Sequence, residues 1–242
     1  MKSPRLWIAL FALLIALVFI ATVTTPIMAQ KDVTGAGRWT IDTYVGDEGP
    51  FSLKTKPLPG GGVFVDFFNT PDRAVLFTDS PSYKRFILGE LTGKTLSADI
   101  AIEATPGATF NYYDTGGDTP ASVRFYFQKP NAPGCPAGWH PERPDCEAQY
   151  WWSNPVSISL NDLASLGNAG TTLTTPLVPS SWSDRDGHMG DSDAAHSAWF
   201  NLAVANVNKI GLSFGGGNNF AYGCGVDAPA TAKFKLLAYV AK

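Results

Sequence analysis

Lys209–Val240 reads KIGLSFGGGNNFAYGCGVDAPATAKFKLLAYV, and the reading of this stretch decides the fold. Ile210, Leu212 and Phe214 alternate with Gly211 and Ser213. Phe234, Leu236, Ala238 and Val240 then alternate with Lys233, Lys235, Leu237 and Tyr239. A period of two places successive side chains on opposite faces, so the stretch predicts two strands joined by a glycine-rich segment. Two strands cannot bury an apolar face by themselves, which requires further strands upstream and a second layer.

Those strands are legible. Arg38–Val45, Val63–Asn69, Ala74–Thr78, Tyr83–Leu88, Ser122–Gln128, Tyr150–Leu160 and Thr171–Leu177 are short, rich in β-branched or aromatic residues, and separated by turn chemistry. PLPGGG at Pro57–Gly62 and Gly46–Pro50 read as turns. Leu96–Ala104 alternates most cleanly: Leu96, Ala98, Ile100, Ile102 and Ala104 share one face. Asn161–Leu166 suits a single helical turn ended by Gly167. One true helix is expected at Asp193–Ala205, with Ser192 as its N-cap and Phe200, Ala203 and Val204 turned inward. The composition agrees with many turns and short strands: 24 Gly, 18 Pro and 12% aromatics, against only 16% charged residues. The expected fold is all-β, a jelly-roll β-sandwich of about eight to ten strands with one short helix, in a single domain over residues 38–242.

The N-terminus carries an export signal. Lys2 and Arg5 precede an apolar run from Leu6 to Val23, and Ile27-Met28-Ala29 offers a small residue for cleavage, so residues 1–29 read as a signal peptide. The run exceeds the usual signal core of about 7–15 residues and reaches the lower limit for a bilayer span, about 17, so retention as an N-terminal membrane anchor is the other reading. Residues 30–37 then form a linker. Either way the domain leaves the cytoplasm, as a secreted or periplasmic protein or as one anchored on the outside, and a membrane is a partner only if the apolar segment is retained.

Charge and cysteine usage narrow the partners. The formal net charge of −3 becomes more negative without Lys2 and Arg5, and no Lys/Arg cluster offsets it, which argues against nucleic acid. Of three cysteines, Cys135 and Cys146 bracket PAGWHPERPD and are expected to form a disulfide that staples a loop; any of the three pairs is open on sequence alone, and Cys224, in a glycine-rich turn, is the candidate for a buried free thiol. Cys135, His140 and Cys146 match none of the usual zinc spacings, so no metal site is assigned there.

The strand at Ser122–Gln128 is the candidate recognition surface. If Val123, Phe125 and Phe127 face the core, Arg124, Tyr126 and Gln128 face outward, giving a stacking ring beside planar hydrogen-bonding groups, as a sugar requires. Trp151, opposite in parity to Tyr150, Trp152, Val156, Ile158 and Leu160, is expected to join them. The competing interpretation is that Tyr126 and Trp151 merely cover the sheet beneath a loop. Loop residues Trp139 and Trp182 are expected to pin their loops to the core. No catalytic motif is present, which leaves an envelope hydrolase as the third reading: Asp66, Asp99 and Glu103 are strand carboxyls with no defined separation, there is no G-x-S-x-G elbow, and His140, His188 and His196 sit in no triad context.

The closing half of the chain carries a resemblance. Trp182-Ser183-Asp184, a glycine-containing loop, a helix through Trp199-Phe200, Asn206-Val207-Asn208-Lys209-Ile210-Gly211-Leu212, Phe214-Gly215-Gly216-Gly217 and Ala232-Lys233-Phe234-Lys235-Leu236 resemble the end of galactose-binding-like jelly-roll domains. Those domains include many carbohydrate-binding modules, and the resemblance extends over Ser122–Val240. It implies an exported, non-catalytic protein that binds a polysaccharide or glycan. The alternative is a structural or protein-interaction domain of the cell envelope or extracellular matrix. The resemblance also implies that a structural calcium is common. Asp184-Arg185-Asp186-Gly187 and Asp191-Ser192-Asp193 are acidic loops, but an EF-hand is rejected on register and no ligand set is matched, so no cofactor is assigned.

Overall fold

The structure, a computed structural model, describes residues 35, 37–45, 48–69, 73–112, 120–130, 150–216 and 223–242. The expected leader and the Cys135–Cys146 pair, with Trp139 and His140, lie outside the described residues. Within them the chain forms fifteen strands and two α-helices, more strands than anticipated and one helix more.

The larger sheet contains β1 (Thr40–Val45), β2 (Glu48–Lys54), β5 (Ala74–Thr78), β8 (Ser122–Gln128), β9 (Tyr150–Ser153), β12 (Trp182–Ser183) and β13 (Lys209–Gly215), in the order β12-β9-β8-β13-β5-β1-β2, with β10 (Ile158–Ser159) also on β8. The smaller sheet contains β3 (Lys56–Pro57), β4 (Val63–Asp66), β6 (Thr95–Ala104), β11 (Thr171–Pro176) and β15 (Ala232–Ala241), in the order β11-β6-β15-β4-β3. A two-stranded ribbon pairs β7 (Phe110–Tyr112) with β14 (Cys224–Val226). All these pairings are antiparallel.

The two C-terminal strands do not pair with each other. β13 is the central strand of the larger sheet, between β5 and β8, and β15 is central in the smaller one, between β4 and β6. They meet across the core. Phe214 meets Phe234 edge-on at 4.8 Å, and the Tyr239 hydroxyl donates to the Gly211 carbonyl at 3.4 Å. Trp39 and Phe125 also reach Tyr239 from the larger sheet, at 5.2 and 5.7 Å between ring centroids. Two facing layers of large aromatic rings, each ring burying roughly 150–250 Å², supply the hydrophobic stabilisation that neither sheet has alone.

The parity of β15 changes midway. Phe234 and Leu236 point inward as expected, but a register shift between Leu236 and Ala238 turns Tyr239 and Ala241 inward in place of Ala238 and Val240. An extra bulge residue reverses the face of everything after it. Gly62 packs on the bulge: a β-carbon there would lie 2.7 Å from the Leu236 carbonyl oxygen.

Helix α1 (Leu160–Leu166) is capped by the Ser159 side chain and stopped by Gly167, close to expectation. Helix α2 (Ala194–Val204) is capped by Asp193 rather than Ser192, its carboxylate accepting from the Ala195 and His196 amides. Its inward residues are those expected. Phe200 closes one end of the core against Trp151 and Phe127, at 5.1 and 5.9 Å. Other segments depart from expectation. Tyr83–Leu88 is not a strand: Pro81 initiates a 3-10 turn through Tyr83, and Arg85 takes a φ of 84°, so Tyr83, Ile87 and Leu88 are buried from a turn. Glu48–Pro50, read as a turn, opens the edge strand β2.

Candidate functional site

The outer face of the larger sheet carries the candidate site. On β8, Phe125 and Phe127 are fully buried in the core, while Arg124, Tyr126 and Gln128 lie on the opposite face, as alternation requires. Register then fixes the neighbours. Tyr126 is opposite Trp152, Phe127 opposite Trp151, and Gln128 opposite Tyr150.

Trp151 is therefore a core residue, with none of its surface exposed, and cannot be a ligand contact. The physical reason lies at Ser153. Its hydroxyl donates to the Val156 carbonyl at 2.6 Å and accepts from the Phe125 amide at 3.0 Å, ending β9. Val156, Ile158 and Leu160 thus lie beyond the strand, in a turn, in β10 and in α1, so a parity counted through Pro155 assigned Trp151 to the wrong face. Trp152 takes the place expected of Trp151. Trp182 is buried as expected, but from strand β12 rather than from a loop, with its indole N–H on the Pro176 carbonyl at 2.8 Å.

Tyr126, Trp152, Val75 and Phe77 form a small apolar cluster with Tyr150 against it, separate from the main core. The Tyr126 and Trp152 rings are 5.3 Å apart, and Tyr150 stacks near both. Tyr126 is only 4% exposed, so it forms a floor rather than a free plate. Burial pushes its phenol well above its ordinary pKa, and its hydroxyl donates to Gln128 Oε1 at 3.0 Å. That bond leaves the Gln128 amide N–H groups for other partners.

Beside this floor lies a depression of about 120 Å³, walled by Tyr44, Tyr150, Gln128, Arg73, Lys209 and Asp42. The cations stand over rings: Arg73 over Tyr44 at 4.5 Å and Lys209 over Phe77 at 4.0 Å. Arg73 Nε and Trp152 Nε1 are buried without a hydrogen-bond acceptor among the described residues. Asp42, the one acid of the depression among the described residues, accepts a hydrogen bond from the Ser52 hydroxyl. Arg124, on the same face, is held down to about 10 by burial and stays charged at neutral pH. The depression is rich in donors, and a ligand matching it brings acceptors.

The strand carboxyls do not assemble into an acid-base pair. Asp66 is paired with Lys56, Glu103 with Lys235, and Asp99 accepts from the Thr172 hydroxyl. A larger hollow of about 370 Å³ beside α1 is lined by the Ala104–Thr109 turn with Asn161, Ala164 and Ser165, with no ring or charge to select a ligand. Cys224 is a buried free thiol whose pKa burial pushes up, which makes it inert. Asp184, His188 and His196 converge; Asp184 four residues before His188 and Asp193 three before His196 are signals in the sequence, whereas the approach of Asp184 to His196 is set by the fold. Among the described residues no helix is long and apolar enough to cross a membrane. No protein-family model matches the chain, and no curated protein matches it.

Proposed function

We propose that the protein is an exported, non-catalytic carbohydrate-binding protein of the galactose-binding-like jelly-roll type, and that the sugar it prefers carries a negative charge. The fold reading is supported by the way the chain crosses between sheets: β4 and β5, β5 and β6, β11 and β12, and β13 and β15 lie on opposite layers. Repeated crossing of this kind is how jelly-roll sandwiches are wound. The observation that carries the function is the donor-rich depression on the larger sheet, where Tyr44 and Tyr150 offer rings and Arg73, Lys209 and Gln128 offer donors.

The physics fits a shallow site. At about 120 Å³ the depression is smaller than the roughly 300–1,000 Å³ of a pocket that engulfs its ligand, so it accommodates the edge of one sugar residue. A carboxylate seated in the depression meets the Arg73 guanidinium, and a charge-assisted contact of that kind is stronger than a neutral hydrogen bond. Affinity is then modest, because the local attraction works against a net negative protein, and it falls with salt to the extent that salt screens the contacts to Arg73 and Lys209.

Affinity electrophoresis through gels containing neutral and acidic polysaccharides tests this. Retardation by an acidic polysaccharide, lost in Tyr150→Ala and in Arg73→Gln, is the expected result. Absence of retardation on a broad panel would shift the reading to a structural or protein-interaction domain. One observation favours that second reading. The edge strand β2 has no second neighbouring strand among the described residues and exposes Phe51 and Leu53 at 49% and 50%, a surface suited to adding a strand from another protein.

A further inference from the structure

The loop between β12 and α2 brings two histidines and a carboxylate to one point. Asp184 is 8% exposed, and its Oδ1 accepts the Asp186 and His188 amides, both at 2.9 Å. This fixes Oδ2 toward the imidazoles, 3.5 Å from His188 Nδ1 and 3.5 Å from His196 Nε2. The three ligand atoms all lie within 4.8 Å of one another. Behind His196, Asp193 Oδ2 sits 2.8 Å from Nδ1, while its other oxygen caps α2.

That last contact decides the tautomer. With the Nδ1 proton given to Asp193, His196 Nε2 presents a lone pair to Asp184 Oδ2, and two acceptors facing each other call for a positive charge between them. A carboxylate holding the far nitrogen of an imidazole is also how metal-bound histidines are oriented. We propose that Asp184, His188 and His196 form a binding site for a divalent transition-metal ion, zinc(II) fitting best, with its remaining position open to solvent on the side of the exposed His188.

Two chemical arguments choose the ion. Imidazole nitrogens suit zinc and its neighbours, whereas calcium takes six to eight oxygens, so the calcium suggested by the acidic loops is not the ion for this cluster. Bonds of about 2.0–2.1 Å in a tetrahedron set ligand atoms about 3.3 Å apart, close to the 3.5 Å separations here. The side between His188 and His196 closes by rotation of His188, whose side chain is 57% exposed. The bound ion ties the 184–188 loop to the first turn of α2. The alternative without metal is a doubly protonated His196 bridging Asp184 and Asp193.

The test is a zinc(II) titration of the full chain after chelator treatment, followed by calorimetry and zinc K-edge absorption. One equivalent bound through imidazole nitrogens and oxygen is expected. His188→Ala, at a largely exposed position that leaves folding intact, weakens binding by at least about tenfold. Asp193→Asn keeps the helix cap but removes the orienting charge, and weakens binding by about 10–100-fold. The proposal is overturned by no uptake, by uptake that His188→Ala leaves unchanged, by uptake lost only in Cys135→Ser/Cys146→Ser, or by calcium displacing zinc.

Discussion

The two sheets share one core but treat their outer faces differently. The smaller sheet turns outward an array of lysines and acids, Lys56 with Asp66 and Lys235 with Glu103, with Lys56 and Lys233 also over the Phe64 ring. The larger sheet turns outward buried rings and cations, Tyr126, Trp152, Arg73 and Lys209, with Asp42 as the only acid of its depression among the described residues. A solvated face needs paired charges and little else. A face that buries Trp152 and leaves its indole N–H without an acceptor among the described residues bears a cost that water contact alone does not explain.

Substitutions break or sharpen this contrast. The largest effect is expected from Trp152→Ala. If the outer cluster behaves as a second core, chemical denaturation will show a loss of about 3–5 kcal/mol, typical of a buried aromatic. A loss under about 1 kcal/mol would make it ordinary surface. Next comes Gly211→Ala. A β-carbon on this central strand would lie 1.9 Å from the Leu76 carbonyl oxygen, so β13 and β5 must part; a cost of about 1–3 kcal/mol is expected in the same assay.

Between the faces, Cys224 gives a pH signature. Its folded pKa is raised by burial, so its contribution is complete below the unfolded value of about 8.5 and is lost as pH rises toward the folded one. Stability should fall by about 1.4 kcal/mol per pH unit above that point, and Cys224→Ala should flatten the slope between about pH 9 and 10. An unchanged slope would locate the alkaline sensitivity elsewhere, in Tyr126 and Tyr239, which burial also shifts upward. The smallest effect belongs to the solvated face. The Lys235 hydrogen bond and charge hold the Glu103 carboxyl below its ordinary value, so that contribution is present above the unfolded pKa and disappears as pH falls through the folded one. Lys235→Ala should shift the denaturation midpoint barely, and only above about pH 4.5.

The same contrast explains how much was readable in advance. Ala74–Thr78 and Ser122–Gln128 have the bounds expected, because no proline, glycine or bulge interrupts either run. Face assignment failed where the backbone breaks step: at the β15 bulge, which brings Tyr239 inward, and at Ser153, which ends β9 and hands the outer face to Trp152 rather than Trp151. Arg124, Tyr126 and Gln128 were placed on their face because β8 is unbroken, but Tyr44, Arg73 and Lys209 come from β1, the approach to β5, and β13. Only the order of strands in the sheet brings them together. The meeting of Asp184 with His196 likewise depends on where β12 delivers the loop against α2.

The most direct test of the recognition surface is side-chain NMR during titration with an acidic oligosaccharide. Ring signals of Tyr44 and Tyr150 and the methylene and amide signals of Lys209 and Gln128 should shift together, while Phe64 on the other sheet stays still. Shifts confined to Phe51 and Leu53 on β2 or to the smaller sheet, or no shifts across a panel of acidic and neutral glycans, would contradict it.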